Sequence, residues 1–313
     1  MTTTTLGRTG LTVTAAGLGC GGFSRIGIAQ GLAHAAGIVR AAYDLGVTFF
    51  DTATAYGTQE AVGEGLSGIP RGSYVISTKF PYRSFGSGGL MTPEEAEKTL
   101  DDSLRELKTD YVDVWHIHAL VEADVAYARD ALYPAMKRAQ EKGKIRFLGV
   151  TEQFGSDTSH KMFRTALPDD LFDVIMTGYN LINPSAANFV LPEAIERNVA
   201  ALCMFAVRKA LHDRAQLASD LQKILAAGQG GAGLSANAEV LGFLTENGVA
   251  DSLPEAAYRF CRHTPGITVT LTGTGNAEHL RANLAAIEKP KLPDDALATL
   301  RGLFGNVDCV SGQ

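Results

Sequence analysis

At 313 residues, 45% hydrophobic and 20% charged, the chain has the composition of an ordinary globular enzyme. Its length suits one α/β barrel of roughly 250 residues with extra loops. A formal charge of -6, a pI near 5.7 and no Lys/Arg run longer than a pair give no electrostatic basis for nucleic-acid binding. No apolar run approaches the roughly 18 residues of a membrane span, and MTTTTLGRTG lacks a basic start leading into an apolar stretch, so a cytoplasmic location is expected.

The first dozen residues alternate around a glycine-containing turn and predict a short hairpin. Apolar β-type runs then recur at 15–22, 47–52, 74–79, 111–118, 145–150, 173–178, 201–206 and 267–273. Helical stretches separate them, among them AHAAGIVRAAYDLG, TPEEAEKTLDDSLRELK, YPAMKRAQEKG and LPEAIERN. Thr92, Pro93 and Glu95 form an N-terminal cap pattern, and Gly46 and Gly143 stand where helices end on a left-handed residue. Strands apolar almost throughout, each followed by a helix, are what a parallel sheet covered by helices requires. Eight such units in series predict a (β/α)8 TIM barrel, a single domain over residues 1–313, with an N-terminal hairpin and long loops on its C-terminal face.

Three connections are longer than a simple barrel needs. PYRSFGSGGLM follows the third strand and ALVEADVAYARD the fourth, while Val207 to about Gly248 contains a helical piece and the glycine-rich GQGGAGLSANAE. Long loops on that face are usually functional. DDALATLRGLFG reads as one more helix packed outside.

The C-terminal strand ends are where such a barrel places its site. They carry Asp51 with Tyr56 just beyond, Lys79, His118, Thr151 with Glu152, and Gly273 with Thr274. Reducing a carbonyl takes hydride onto carbon and a proton onto oxygen. A phenol, with an ordinary pKa near 10, can donate that proton, and a neighbouring ammonium stabilises the phenolate left behind. In this reading Tyr56 is the acid or base, Lys79 tunes it, Asp51 anchors Lys79, and His118 orients the substrate oxygen.

FFDTATAYG, ISTK and YVDVWHIH resemble, in order and on the expected strands, the Asp, Tyr, Lys and His motifs of the aldo-keto reductases, and the early segment LGRTGLTVTAAGLGCGGFSR resembles bacterial aldose and pyridoxal dehydrogenase-like members as much as aldehyde reductases. The likeness runs from LGRTGLTVTAAGLGCGG through GKIRFLGV to TGTGNAEHLRANLAA. It implies an oxidoreductase that interconverts a carbonyl (aldehyde, ketone or sugar) and an alcohol, with a nicotinamide cofactor lying across the barrel top. That cofactor is expected to be NADP(H), with NAD(H) the other possibility. The resemblance assigns it Gly273, Thr274, Gly275, Asn276, His279 and Asn283, with Gly21 at its edge and Arg208 and Lys209 at the diphosphate. Departures fall in the nicotinamide pocket. Thr151 and Glu152 stand where the family usually has Ser and Asn, Met176 where it has Gln, Met204 and Phe205 at the ring-stacking position, and His279 where an arginine is common. Phe23, Phe80, Phe85 and Trp115 are the candidates for an apolar substrate pocket.

Competing readings are weaker. Gly17, Gly19 and Gly22 spell GxGxxG, but no acidic residue ends a second strand about 20 residues on, so they read as close backbone packing. His116 and His118 share a strand face, yet later strand ends offer no further His or Asp, so no metal is expected and His116 reads as an interior hydrogen-bonded residue. His34, His160, His212 and His263 are expected at the surface. Cys20, Cys203, Cys261 and Cys309 are scattered and read as isolated buried thiols. The altered nicotinamide pocket leaves a second class open, a cofactor-binding sensor or regulatory subunit with little turnover. The partner in either case is a small molecule; substrate identity and oligomeric state are not legible.

Overall fold

The computed structural model describes every residue except Phe85 and Asn247. Eight parallel strands close into a barrel: β3 (Ala16–Gly19), β4 (Phe49–Asp51), β5 (Val75–Pro81), β6 (Val112–Leu120), β7 (Ile145–Glu152), β8 (Val174–Gly178), β9 (Ala200–Met204) and β10 (Ile267–Thr272), the last pairing back to β3. Ahead of them, β1 (Thr3–Thr5) and β2 (Thr12–Thr14) form the expected antiparallel hairpin. Leu6 and Val13 of this hairpin are buried with Phe49, Val75, Val114 and Val269 of the barrel interior, so the hairpin stoppers the N-terminal end. Arg8 fastens it, donating from Nε to Asp173 at 3.0 Å and from Nη1 to Asp170 at 2.7 Å.

Side chains alternate across each strand, so two packed layers arise from one sheet. Phe49, Val75, Val114, Val174, Met176 and Leu202 fill the interior, while Phe50, Ile76, Trp115, Leu148, Ile175 and Cys203 face the helices. That alternation places Asp51 two residues above Phe49, Lys79 four above Val75 and His118 four above Val114. All three point inward for the same geometric reason as the apolar residues below them.

The helices are α1 (Leu32–Asp44), α2 (Gln59–Gly65), α3 (Pro93–Leu107), the single turn α4 (Val125–Tyr127), α5 (Tyr133–Glu141), α6 (Lys161–Ala166), α7 (Val190–Glu196), α8 (Arg214–Ala226), α9 (Leu253–Arg262), α10 (Ala277–Glu288) and α11 (Asp294–Phe304). The cap pattern at α3 forms a complete box: Glu95 N donates to Thr92 Oγ1 at 3.2 Å and Thr92 N to Glu95 Oε2 at 2.7 Å. The segment after β6, expected as a loop, is helical from Glu122 through to α5, because Val125, Ala128 and Leu132 recur at helical spacing and are all buried. The first barrel strand is shorter than expected, since the chain turns at Cys20 to Gly22, where Gly22 adopts φ 70°.

The long connection after β9 contains α8 and a 3-10 segment (Ala238–Leu244), which with Leu211, Leu217 and Leu253 border a cleft of about 240 Å³. Beyond α11 the chain returns to the mouth, where Asn183 Nδ2 donates to Val310 O at 2.8 Å and Ala210 N to Gly312 O at 3.0 Å. Among the cysteines, Cys309 is exposed rather than buried. Cys203 and Cys261 are not isolated: both thiols lie 3.5 Å from the Tyr179 carbonyl oxygen. Among the described residues, no helix is long and apolar enough to cross a membrane.

Candidate active site

Asp51 ends β4, and its Oδ2 accepts from Lys79 Nζ at 2.6 Å. The ammonium also donates to Thr52 O at 2.8 Å, and Lys79 is fully buried. A lysine out of water needs both a counter-charge and acceptors for its protons, and these two contacts supply them. Tyr56 closes a 3-10 turn (Thr54–Tyr56) that Gly57 ends at φ 67°. The turn swings the phenol back over the mouth, with Lys79 Nζ 5.0 Å from the ring centroid. The phenol oxygen is 3.5 Å from His118 Nε2, and the two rings meet edge to face at 5.5 Å. Gly21 supports the phenol: a methyl group there would lie 2.6 Å from the Tyr56 ring.

Burial sets the electrostatics. It pushes the Asp51 carboxyl up, against the lowering pull of Lys79 and Ser77. Burial alone would lower Lys79, but the charge of Asp51 and the hydrogen bonds of Asp51 and Tyr56 outweigh it and the ammonium is held above its ordinary range. Burial also raises the Tyr56 phenol. Lys79 pulls it down, as its sequence position implied, but does not prevail. His118 is lowered to about 3 by burial and then by Lys79, so at neutral pH it is an uncharged imidazole. The cluster therefore holds a protonated phenol, a neutral imidazole and a compensated ammonium at one end of the barrel.

A family model described as the aldo/keto reductase family matches residues 17–304. The chain belongs to this family. It is 33% identical over 151 residues to L-galactose dehydrogenase of Arabidopsis thaliana, covering 47% of each chain. It is 26% identical over 213 residues to D-threo-aldose 1-dehydrogenase of a Pseudomonas species, covering 60% of this chain and 64% of that one. The chain thus spans about half to two thirds of the length of these curated relatives. A holo aldo-keto reductase structure from Bacillus halodurans superposes over 96% of this chain and 95% of its own with TM-score 0.73 at 22% identity, a likeness of fold.

Beyond the four polar residues, the strand ends of this family member carry Thr151, Glu152 and Met176. Thr151 Oγ1 accepts from Ala119 N at 2.7 Å, which holds Ala119 at φ 57°. Glu152 is fully buried on the helix-facing side. Its Oε1 accepts from Thr177 Oγ1 and Gly178 N, both at 2.8 Å, and its Oε2 lies 2.8 Å from His160 Nδ1. The carboxylate is thus engaged by protein groups and braces β7 against β8. His160, expected at the surface, is buried beside it, with Nε2 3.0 Å from Ser185 Oγ. Met176 belongs to the interior cluster beneath the mouth.

Phe154 stacks on His160 at 5.5 Å and on Phe205 at 6.1 Å, and the Arg208 guanidinium lies 3.9 Å over Phe205. Arg208 is half-buried, is lowered to about 10 by burial, and its Nε has no hydrogen-bond partner among the described residues. Lys209 Nζ follows, 3.5 Å from Asp213. A desolvated guanidinium with a free donor beside a second cation fits an anionic diphosphate. Met204 and Phe205 are both partly exposed at the mouth, and Phe205 takes φ 70°.

On the neighbouring strand, the turn after β10 is tightly built. A methyl on Gly273 would run into the Gly19 carbonyl, Thr274 Oγ1 accepts from Asn276 N at 3.1 Å, and Gly275 O lies 2.8 Å from His34 Nε2. His34 is therefore a half-buried bonded residue rather than a surface one. Asn276 Oδ1 caps α10, accepting from Glu278 N at 2.8 Å and His279 N at 3.0 Å. His279 is exposed, and Asn283 Nδ2 donates to Thr272 Oγ1 at 3.0 Å.

Two substrate-pocket candidates are corrected. Phe80 and Trp115 are fully buried between the barrel and its helices, their rings 4.3 Å apart, because Lys79 and His116 on the same strands point inward and their neighbours must point out. Phe85 lies outside the described residues. Phe23, 91% exposed in the loop after β3, does stand free in solvent. Residues missed from sequence are His160 and Ser77, whose hydroxyl donates to Asp51 Oδ1 at 2.8 Å. Ser77 was findable, being two residues before Lys79 on the same strand face.

Proposed function

We propose that this protein is an NAD(P)(H)-dependent oxidoreductase that interconverts a carbonyl and an alcohol, with Tyr56 as general acid and base. One observation carries the reading: a fully buried Lys79, paired to Asp51 at 2.6 Å, lies beneath a tyrosine that shares the mouth with a neutral histidine. The nicotinamide cofactor, when bound, supplies or accepts the hydride. Arg208 and Lys209 would hold its diphosphate, and Gly273, Thr274, Gly275, Asn276, His279 and Asn283 its adenosine end. Thr151, Met204 and Phe205 would border the ring, with Met176 beneath, while Glu152, turned to the helix side, would act only by bracing β7 against β8.

In reduction, His118 holds the substrate oxygen from one side and Tyr56 gives it a proton. Lys79 stabilises the phenolate left behind, and Asp51 keeps Lys79 in place. In oxidation the same phenolate takes the alcohol proton. Sugars or other hydroxyaldehydes are the proposed substrates, because two relatives are named L-galactose dehydrogenase and D-threo-aldose 1-dehydrogenase. The family resemblance favours NADP(H). His279 and Glu278 on the first turn of α10 favour NAD(H), and titrating both decides between them. A cytoplasmic location and a single-barrel organisation complete the proposal.

Tyr56→Phe is expected to abolish turnover and leave cofactor binding, followed by fluorescence, nearly intact. Full activity in that variant would overturn the mechanism. Binding without turnover in the wild type would instead support a cofactor sensor.

A further inference from the structure

We propose that Ser77 and His116 are positioning residues for this reaction, a buried pair that fixes the Asp51 carboxylate in its grip on Lys79. The inference rests on the carbonyl–alcohol reading above. Asp51 has two oxygens to satisfy away from water. Oδ2 takes the ammonium of Lys79 at 2.6 Å, and Oδ1 takes the hydroxyl of Ser77 at 2.8 Å. A serine hydroxyl has one proton, and this one is committed to Asp51. The 3.0 Å contact between Ser77 Oγ and His116 Nε2 therefore requires the imidazole to donate. That fixes His116 as the Nε2–H tautomer and orients the chain of donors from His116 to Ser77 to Asp51.

The surroundings agree with this assignment. His116 is fully buried, and burial, then Lys79 and His118, press it well below its ordinary range against the raising pull of a backbone hydrogen bond at Val150, so it stays neutral and keeps one N–H. Among the described residues Nδ1 makes no hydrogen bond of good geometry, with the Val150 backbone beside the ring, so the Ser77 contact is what fixes the tautomer. The ring is admitted by Gly149 on the neighbouring strand, where a methyl group would collide with it. Asp51 and Ser77 are register partners on β4 and β5, and Lys79 and His116 on β5 and β6, so three adjacent strands supply the whole chain. Without Ser77, Oδ1 would be a buried anionic oxygen lacking its donor, and the carboxylate would be free to turn away from Lys79. Without His116, the hydroxyl of Ser77 would be free to rotate to another acceptor.

The test uses the full chain with the preferred cofactor and the best carbonyl substrate. Wild type and Tyr56→Phe establish first whether the function reading holds. Ser77→Ala and His116→Leu are each expected to lower kcat roughly ten- to a hundred-fold, with KM and cofactor affinity changed less than about two-fold. The double variant should be no worse than the poorer single, because both changes release the same carboxylate. His116→Gln, which keeps an N–H at similar reach, and Ser77→Thr, which keeps the hydroxyl, should recover most of the rate. A long-range 1H–15N spectrum of the labelled protein without cofactor should show His116 with its proton on Nε2. Wild-type kcat in Ser77→Ala, losses that multiply in the double variant, or a proton on Nδ1 would overturn the proposal while leaving Tyr56 in its role. If His116→Leu fails to fold, the contrast between Ser77→Ala and Ser77→Thr and the His116 tautomer still decide.

Discussion

Gly21→Ala tests whether the position of the phenol, rather than its mere presence, sets the rate. The added methyl would stand 2.6 Å from Tyr56 Cε2 and 2.7 Å from Cζ. Carbon atoms settle at about 3.5–4.0 Å, so the ring must retreat by about 1 Å. Any such shift changes its placement against His118, edge-on at 5.5 Å, and Lys79, 5.0 Å from the ring centroid. An error of that size at reacting atoms costs on the order of a hundred-fold in rate. Overpacking should cost about 1–3 kcal/mol of stability, a fall in Tm of about 2–5 °C for a chain of this length. The control is Gly10→Ala in the hairpin turn, where φ is 70° and no atom lies within 4 Å of the new methyl. Left-handed strain there should lower stability by about 1–2 kcal/mol with kcat unchanged. Steady-state kinetics and thermal melts on the two variants separate strain from misplacement. If Gly21→Ala keeps kcat/KM within about two-fold of wild type, the phenol is not held where the structure puts it.

Two further outcomes concern stability. Lys79→Met leaves the Asp51 carboxylate buried without its counter-charge and should cost roughly 3–5 kcal/mol in a urea melt, most of it restored by adding Asp51→Asn; additive losses would show that the two side chains are not coupled. His118 titrates at about 3 in the folded protein and near 6.5 unfolded, so the unfolded chain binds the extra proton and stability falls as pH drops from 6.5 towards 3. At pH 5 this one group should cost about 2 kcal/mol relative to neutral pH, and His118→Gln should flatten that part of the urea-melt profile.

Much of this was readable because a barrel strand obeys two rules at once, apolar almost throughout and alternating in direction. The eight runs fell on the eight strands, and Asp51, Lys79 and His118 all face inward at strand ends, as their positions required. Applying the alternation fully would also have excluded Phe80 and Trp115, which neighbour inward-facing residues and so cannot line the mouth. Ser77 yields to the same counting. His160 does not. Its burial depends on a left-handed backbone at φ 62° and on meeting a carboxylate eight residues earlier in the chain, and no local pattern announces either. Arg208 was assigned from its place after the seventh barrel strand, but its stacking on Phe205 depends on how the long segment folds back. The phenol's upward shift was likewise hidden, since sequence names the ammonium that lowers it but not the depth of burial that wins.

The brace formed by Glu152 and His160 bears on how such a mouth changes over generations. A carboxylate buried among Thr177, Gly178 and an imidazole cannot be exchanged for an amide without leaving the histidine facing an altered acceptor, and the histidine cannot be lost without stranding a charge. The two positions are coupled: losing either alone leaves the other short of a hydrogen-bond partner, so substitutions at them are expected to come together.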